Sequence, residues 1–264
     1  MKKIISAAER RHRDSLRRKG LAVGHAYEKR LVRARRSEVR RVLGLAAEYD
    51  GEEDIVRCIE ENLDESGYLP KWFAGLYREA GIPMMRSTAR DLRTSKAFDD
   101  LEDELDDVWL ATMERYARQR AGENIVLVSG TLRTSLVKIT RDLMAEDLGL
   151  GVEKLTKRIY REYVDVLEKW QCRRIAQTET MIALADSAAA AAETLDIKFT
   201  KQWCISGLGN TRESHEVMDG VIVDQDEPFI LEGGMMLYPH DTSLGADASE
   251  IINCACACIR RPKR

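Results

Sequence analysis

Leu195-Asp196-Ile197-Lys198-Phe199-Thr200-Lys201-Gln202-Trp203-Cys204-Ile205 is where the helical pattern of this chain stops. Upstream, apolar residues recur at helical spacing. From Ile197 and Phe199 through Trp203-Cys204-Ile205 the composition favours a strand, and Gly207 and Gly209 then mark a turn. Asp219-Gly220 is a strong turn pair, and Val221-Ile222-Val223 directly after it is a second strand candidate. Gly233-Gly234 and Pro239 separate loops, and Ile251 to Ile259 is expected to close the chain as an extended segment. The fold class predicted is α+β: a mainly helical amino-terminal region and a small carboxy-terminal α+β module.

The upstream helices are read from periodicity. Leu155, Ile159, Tyr163, Val166 and Trp170 are spaced by 4, 4, 3 and 4 residues, the stripe of a helix packed against others. Arg174 to Glu179 and the alanine-rich stretch Ala183–Ala192 continue the helical signal through Leu195. Residues 6–48 also look helical, with Leu16, Val23, Tyr27 and Leu31 near one stripe and a break expected at Gly20 and Gly24. Ile55 to Leu63 makes a short helix. Pro70 and Pro83 punctuate the next stretch, and Trp72, Phe73, Leu76 and Tyr77 anchor a small core. Ile125-Val126-Leu127-Val128 is too short to separate strand from buried helix. The division expected is a basic helical arm (1–50), a helical domain (51–195) and the cysteine-bearing module (196–264).

At 264 residues, with 44% hydrophobic and 33% charged content, the chain is globular and has no run able to cross a bilayer. Met1-Lys2-Lys3-Ile4-Ile5 does not develop into a secretory leader, which points to synthesis in the cytoplasm with thiols kept reduced. The net charge of -3 hides an asymmetry: residues 1–43 carry +11 and the remainder -14. Arg10, Arg11, Arg13, Arg17, Arg18, Lys19, Arg33, Arg35, Arg36, Arg40 and Arg41 make a candidate surface for non-specific binding to double-stranded DNA, or else a solvated Arg-rich helix. Seven acids between Asp99 and Asp107 lack the glycine and ligand order of a calcium loop and read as a solvated helix face.

Four of the six cysteines and two of the four histidines fall between Cys204 and Cys258. Clustered cysteines in a reducing compartment favour metal over disulfide. Cys254, Cys256 and Cys258 alternate, so in a strand they face one side, about 6.5–7 Å apart for neighbours at ~3.3 Å per residue. Three thiolates on one zinc would then need a sharp turn. The expected ligand set is Cys254 and Cys256 with His215 and Cys204, a closed structural zinc site. The alternatives are small apolar core cysteines or a Cys204–Cys254 disulfide. His215 with Asp219 at i,i+4 could instead serve as a general base and its orienter, with Asp241 nearby, in a metal-dependent hydrolase or toxin-like transferase. No HExxH, Walker loop or nucleophile elbow accompanies them. His240 is expected in a loop, and His12 and His25 solvated.

Trp203, Thr211-Arg212, His215, Asp219-Gly220, Pro228-Phe229, Pro239 with Asp241, and Asn253-Cys254-x-Cys256 stand in an order and spacing that resemble the phage Mu protein F-like head morphogenesis family. Gln177-Thr178-Glu179 is similar to that family's Thr-Glu element on the preceding helix. The resemblance covers about residues 170–259. It implies a minor capsid protein of a tailed bacteriophage, in few copies at the portal vertex of the virion, acting in head assembly and in packaging or ejecting DNA. Its implied partners are the portal protein, the major capsid protein and packaged DNA. Cys204 and Cys258 are not part of the family pattern, and no catalytic role attaches to the motif positions.

Overall fold

In the computed structural model, residues 6–63, 67–92, 102–146, 151–164, 168–195, 197–206 and 211–263 are described. The helices are α1 (Ala7–Ala46), α2 (Glu52–Asn62), α3 (Tyr68–Leu76), α4 (Ile82–Leu92), α5 (Glu102–Ala145), α6 (Val152–Tyr163) and α7 (Lys169–Thr194). The module follows as β1 (Phe199–Cys204), α8 (Glu213–Glu216), β2 (Ile222–Asp224), β3 (Phe229–Leu231), β4 (Gly234–Met236), α9 (Ala248–Ile251) and β5 (Ala257–Pro262). The predicted α+β class is what the chain adopts. Asp99 and Asp100 lie outside the described residues, as do Gly207 and Gly209, and the acids from Glu102 onward open α5.

The chain divides into two compact units assembled from segments distant in sequence. One comprises Met1–His25, Gly75–Tyr116 and Gln177–Arg264; the other comprises Ala26–Ala74 and Ala117–Ala176. A linear division into arm, helical domain and module does not anticipate this, because α1, α5 and α7 each contribute turns to both units.

The all-helical unit closes around Val39, Val42, Ile55, Ile59, Leu132, Leu136, Leu155, Ile159 and Tyr163, contributed by α1, α2, α5 and α6. Leu155, Ile159 and Tyr163 are the predicted stripe. It does not continue: α6 stops at Tyr163, Val166 lies outside the described residues, and Trp170 is 59% exposed with the Arg174 guanidinium 4.2 Å above its ring. Tyr27 and Trp72 meet edge to face at 5.7 Å, and the Trp72 indole donates to the Tyr27 carbonyl at 3.0 Å. Ile125 to Val128 are helical, inside α5.

Two expected breaks do not occur. α1 runs unbroken through Gly20 and Gly24, and Gly20 is buried because a Cβ there would sit 2.5 Å from Leu184 Cδ1 of α7. Close approach, and not chain reversal, is why that position holds glycine. Pro70 lies in the first turn of α3, where the missing amide costs nothing. Pro83 follows a π-helical turn, Tyr77–Gly81, which lets the helix continue into α4. Gly81 is closely packed: a Cβ would meet Met113 Sδ at 2.4 Å and Ser187 Oγ at 2.6 Å. The alanines of α7 serve the same end, since Ala188 to Ala192 are all buried.

In the module, β1 is the centre of an antiparallel sheet ordered β2-β1-β5, and β3 and β4 form a separate hairpin. Trp203 pairs with Cys258 and Cys204 with Ala257 across the β1–β5 ladder. Trp203, Phe229, Leu231, Met236, Ile251, Cys254 and Cys256 form the module's core, with Ile182 of α7 packed into it. The predicted strands at β1 and β2 are present. Ile251 to Ile259 is only partly extended, because α9 occupies its start and Cys254 to Cys256 form an irregular bend before β5.

The basic amino-terminal segment is not a free arm. Arg35 is fully buried, donating to Gln171 Oε1 at 3.1 Å and to the Val128 carbonyl at 3.0 Å. Arg36 pairs with buried Glu168 at 2.6 Å. Arg41 pairs with Glu38 at 2.8 Å and also reaches the Asn62 carbonyl. Arg35 is thus taken up inside the helical unit, whereas Arg36 and Arg41 stay half-buried beside their carboxylate partners. Arg11, Arg18, Lys19, Arg33 and Arg40 are exposed, Arg40 stacking 5.0 Å from the Tyr160 ring. The side chains of Arg10, Arg13 and Arg17 lie outside the described residues.

Candidate functional site

The motif residues converge on one buried centre. α8 places His215 inward, and the bend after α9 turns Cys254 and Cys256 toward it. His215 Nδ1 is 3.6 Å from Cys254 Sγ and 3.4 Å from Cys256 Sγ. The potential ligand atoms of these three residues lie within 4.8 Å of one another, and they are the group among the described residues able to hold a metal ion. The bend brings Cys254 and Cys256 together, as the spacing required.

Cys204 is not brought in. Along β1 successive side chains point to opposite faces. Trp203 faces the centre, its ring 5.3 Å from the His215 ring and 5.2 Å from the Phe229 ring, so Cys204 is turned away and buried elsewhere. Cys258 is also outside the cluster. It lies across from Trp203 on β5, beyond the bend. All six cysteines are free thiols, so no Cys204–Cys254 disulfide forms.

The partner of His215 is Glu250, and not Asp219. Glu250 is buried on α9 and its Oε2 lies 2.8 Å from His215 Nε2. It also accepts from Ser214 Oγ at 3.0 Å and from the Gly233 amide at 3.2 Å. A carboxylate on Nε2 fixes that nitrogen as the protonated one and leaves the Nδ1 lone pair aimed at the two sulfurs. Gly233 has no room for a side chain, since a Cβ would lie 2.7 Å from Glu250 Cγ. Asp219 instead accepts the Ile205 amide at 3.0 Å. Asp241 accepts from the Leu237 amide at 2.8 Å and the Ser243 amide at 2.9 Å. Both carboxylates are spent on shaping turns.

The remaining motif positions tie the module together. The Asn253 amide donates to Thr178 Oγ1 of α7 at 3.1 Å, with Asn253 at φ 58. Glu179 beside it is buried. Arg212 donates to the Ile252 carbonyl. Gly220, at φ 78, donates its amide to the Trp203 carbonyl at 2.9 Å, a conformation that favours glycine. Pro239 leads into His240.

His240 lies in the expected loop, but its burial was not foreseen from sequence. It is 1% exposed, and its Nε2 is 3.3 Å from the Cys256 carbonyl oxygen. Its only sequence signal is position, one residue before a motif aspartate. Glu250 carried a comparable clue, an acid one residue from the apolar Ile251-Ile252 that leads to the cysteines.

The hydrogen bond from Cys256 drives the Cys254 thiol well below the usual range, against the effect of burial, and the same bond drives Cys256 up. Burial alone would lower His240, but the neighbouring Cys254 outweighs it and the net shift is upward. Burial and Asp186 push the Tyr238 hydroxyl far up. A cavity of about 200 Å³ lies between α4, α7 and β5, lined by Met84, Met181, Leu184, Tyr238 and Cys256 among others. Its wall is mainly apolar, with Asp91, Arg260 and Arg261 also on the lining.

The motif residues thus meet at a closed thiol–imidazole centre within the small antiparallel module. Residues 138–259 match the family described as phage Mu protein F like protein, which supports a Mu F-like family for this carboxy-terminal part of the chain. The match supports a phage head-related protein. A curated protein of Enterococcus faecalis (strain ATCC 700802 / V583), described as NAD(+)-arginine ADP-ribosyltransferase EFV, is 34% identical over 92 residues. That segment is 34% of this chain and 18% of that protein, so the likeness spans less than a fifth of the relative. No solved structure matches the chain. Among the described residues no helix is long and apolar enough to cross a membrane.

Proposed function

We propose that this protein is a minor capsid protein acting in head morphogenesis of a tailed bacteriophage, made in the host cytoplasm and incorporated at the portal vertex of the virion. The observation that carries this reading is where the family's motif residues go. His215, Asp219, Gly220, Asp241, Asn253, Cys254 and Cys256 are used to close a small module, and the acid–base groups among them are bound to backbone amides or to buried partners. Signature residues spent on closing a buried core support a structural role for the module.

The catalytic alternative centred on His215, Asp219 and Asp241 lacks a geometric basis, because the three are not directed at one another and His215 is 1% exposed. The activity named for the enterococcal protein does not carry over on a match of that extent. The exposed cations of α1 (Arg11, Arg18, Lys19, Arg33 and Arg40) are left as the surface for packaged DNA, with contacts confined to phosphate and therefore independent of sequence. Portal protein and major capsid protein are the protein partners.

The test is a deletion of the gene in the phage or prophage that encodes it, with mass spectrometry of purified particles and a reconstruction focused on the portal vertex. The reading expects the protein in wild-type particles at a few copies, density next to the portal that disappears in the deletion, and heads defective in DNA content or infectivity. Its absence from mature particles, with normal heads in the deletion, would refute the assignment.

A further inference from the structure

We infer that the module binds one tetrahedral zinc ion through Nδ1 of His215, Nδ1 of His240, Sγ of Cys254 and Sγ of Cys256. This inference is independent of the assembly role, since it rests on the module's own side chains.

Three of the four ligand atoms are already gathered within 4.8 Å of one another. The fourth is supplied by an atom the apo packing leaves unexplained. His240 is 1% exposed, its Nε2 is placed 3.3 Å from the Cys256 carbonyl, and its Nδ1 makes no well-aligned hydrogen bond although the Cys254 thiol is its neighbour. A buried nitrogen without a well-aligned partner is uncommon and calls for a reason. With Nε2 donating to that carbonyl, Nδ1 is the ring nitrogen left for the sulfur side of the centre.

His215 is arranged the same way. Its Nε2 is held by Glu250 at 2.8 Å and its Nδ1 is turned to the two sulfurs. Histidines that ligate a metal characteristically donate the other ring N–H to a carboxylate or a backbone carbonyl, which sets the tautomer and the ring orientation. Here one histidine has the carboxylate and the other the carbonyl. Two unprotonated nitrogens and two sulfurs are a closed tetrahedral set suited to zinc, with no position left for substrate.

His240 Nδ1 is not within the 4.8 Å group formed by the other three, so binding draws its ring inward toward Cys254. The ion would then join α8, the loop after Pro239 and the bend before β5. On binding, both sulfurs coordinate the divalent ion as thiolates and the displaced proton passes to solvent. No redox step is involved.

Zinc content of the full chain, purified and dialysed against metal-free buffer, gives the first readout. About one zinc per chain is expected for the wild type, as for other closed structural sites. The same content is expected for Cys204→Ala and Cys258→Ser, and none for the Cys254→Ser/Cys256→Ser double variant. Wild-type zinc no higher than in the double variant overturns the inference.

Histidine side-chain ¹⁵N spectra of the zinc-loaded wild type give the second and need no variant. Two of the four histidines should be bonded to metal through Nδ1 and protonated at Nε2. A single metal-bound histidine, or ligation through Nε2, overturns the assignment of His240. Finally, His240→Ala should weaken zinc affinity by ~100-fold or more in competition with a chromophoric chelator, above the 10–100-fold loss typical of an outer-shell partner. Unchanged affinity in a variant with wild-type circular dichroism would remove His240 from the site.

Discussion

Replacing Glu250 tests the central hydrogen-bond system without reference to any metal. The carboxylate is 6% exposed and accepts from His215 Nε2 at 2.8 Å, Ser214 Oγ at 3.0 Å and the Gly233 amide at 3.2 Å. Glu250→Ala deletes all three acceptor interactions. Ser214 and the half-buried Gly233 amide can turn to water, but the buried His215 nitrogen cannot. Each buried donor left without an acceptor costs about 1–3 kcal/mol. The cavity left by the side chain adds to this, so the expected loss is about 3–5 kcal/mol, the range seen when one member of a buried pair is removed. Glu250→Gln keeps the volume and one acceptor for Gly233, but it sets an amide N–H against a ring N–H unless His215 changes tautomer. Its expected cost is smaller, about 1–3 kcal/mol. The assay is urea unfolding of chelator-treated protein, followed by circular dichroism and by Trp203 emission in a background with the other tryptophans replaced by phenylalanine. A loss below about 1 kcal/mol for Glu250→Ala would show that these three hydrogen bonds do not hold the module, and the structural reading of the centre would fail with it.

Three further outcomes follow from other parts of the molecule. Gly81→Ala places a Cβ 2.4 Å from Met113 Sδ and 2.6 Å from Ser187 Oγ, so overpacking should cost about 1–3 kcal/mol and lower the calorimetric Tm; an unchanged Tm would show that the packing here is loose. Burial pushes the fully buried Tyr163 hydroxyl up to about 12. The unfolded chain then releases that proton near pH 10 while the folded chain holds it, so stability should fall as pH rises from about 10 to 12, by about 2–3 kcal/mol at ~1.4 kcal/mol per unit. Tyr163→Phe should remove that part of the alkaline loss in urea unfolding, and identical pH profiles would refute the cause. Replacing Arg11, Arg18, Lys19 and Arg33 with glutamine should weaken DNA binding uniformly across sequences and reduce the salt slope by about 0.9 for each phosphate that is no longer neutralised. Arg35→Gln should act on stability instead. A slope unchanged by the quadruple variant would exclude this helix face as the DNA surface.

The α+β class, the long helices and the site's main ingredients were legible in the chain because each rests on local pattern. Period and composition change at Ile197, and strands follow there. Leu155, Ile159 and Tyr163 repeat at helical spacing and are buried. Cys254-x-Cys256 with a distant histidine announced a cluster because few other uses exist for those residues together. Partnership across the chain was not legible. Only folding sets Glu250 on His215, 35 residues apart in sequence, and turns Asp219 to a backbone amide. Strand alternation about Trp203 sends Cys204 away from the sulfurs it was expected to join, and it could be applied only once the strand's inward face was known. Gly20, Gly81 and Gly233 read as breaks or loops, yet each marks a place where another side chain arrives within 2.8 Å of a would-be Cβ. Likewise Arg35 counted as one more surface cation until its carbonyl and amide partners appeared 93 and 136 residues away. Sequence fixes what a residue can bond to and the local path of the backbone; which of those bonds is made depends on atoms that only the tertiary fold brings into range.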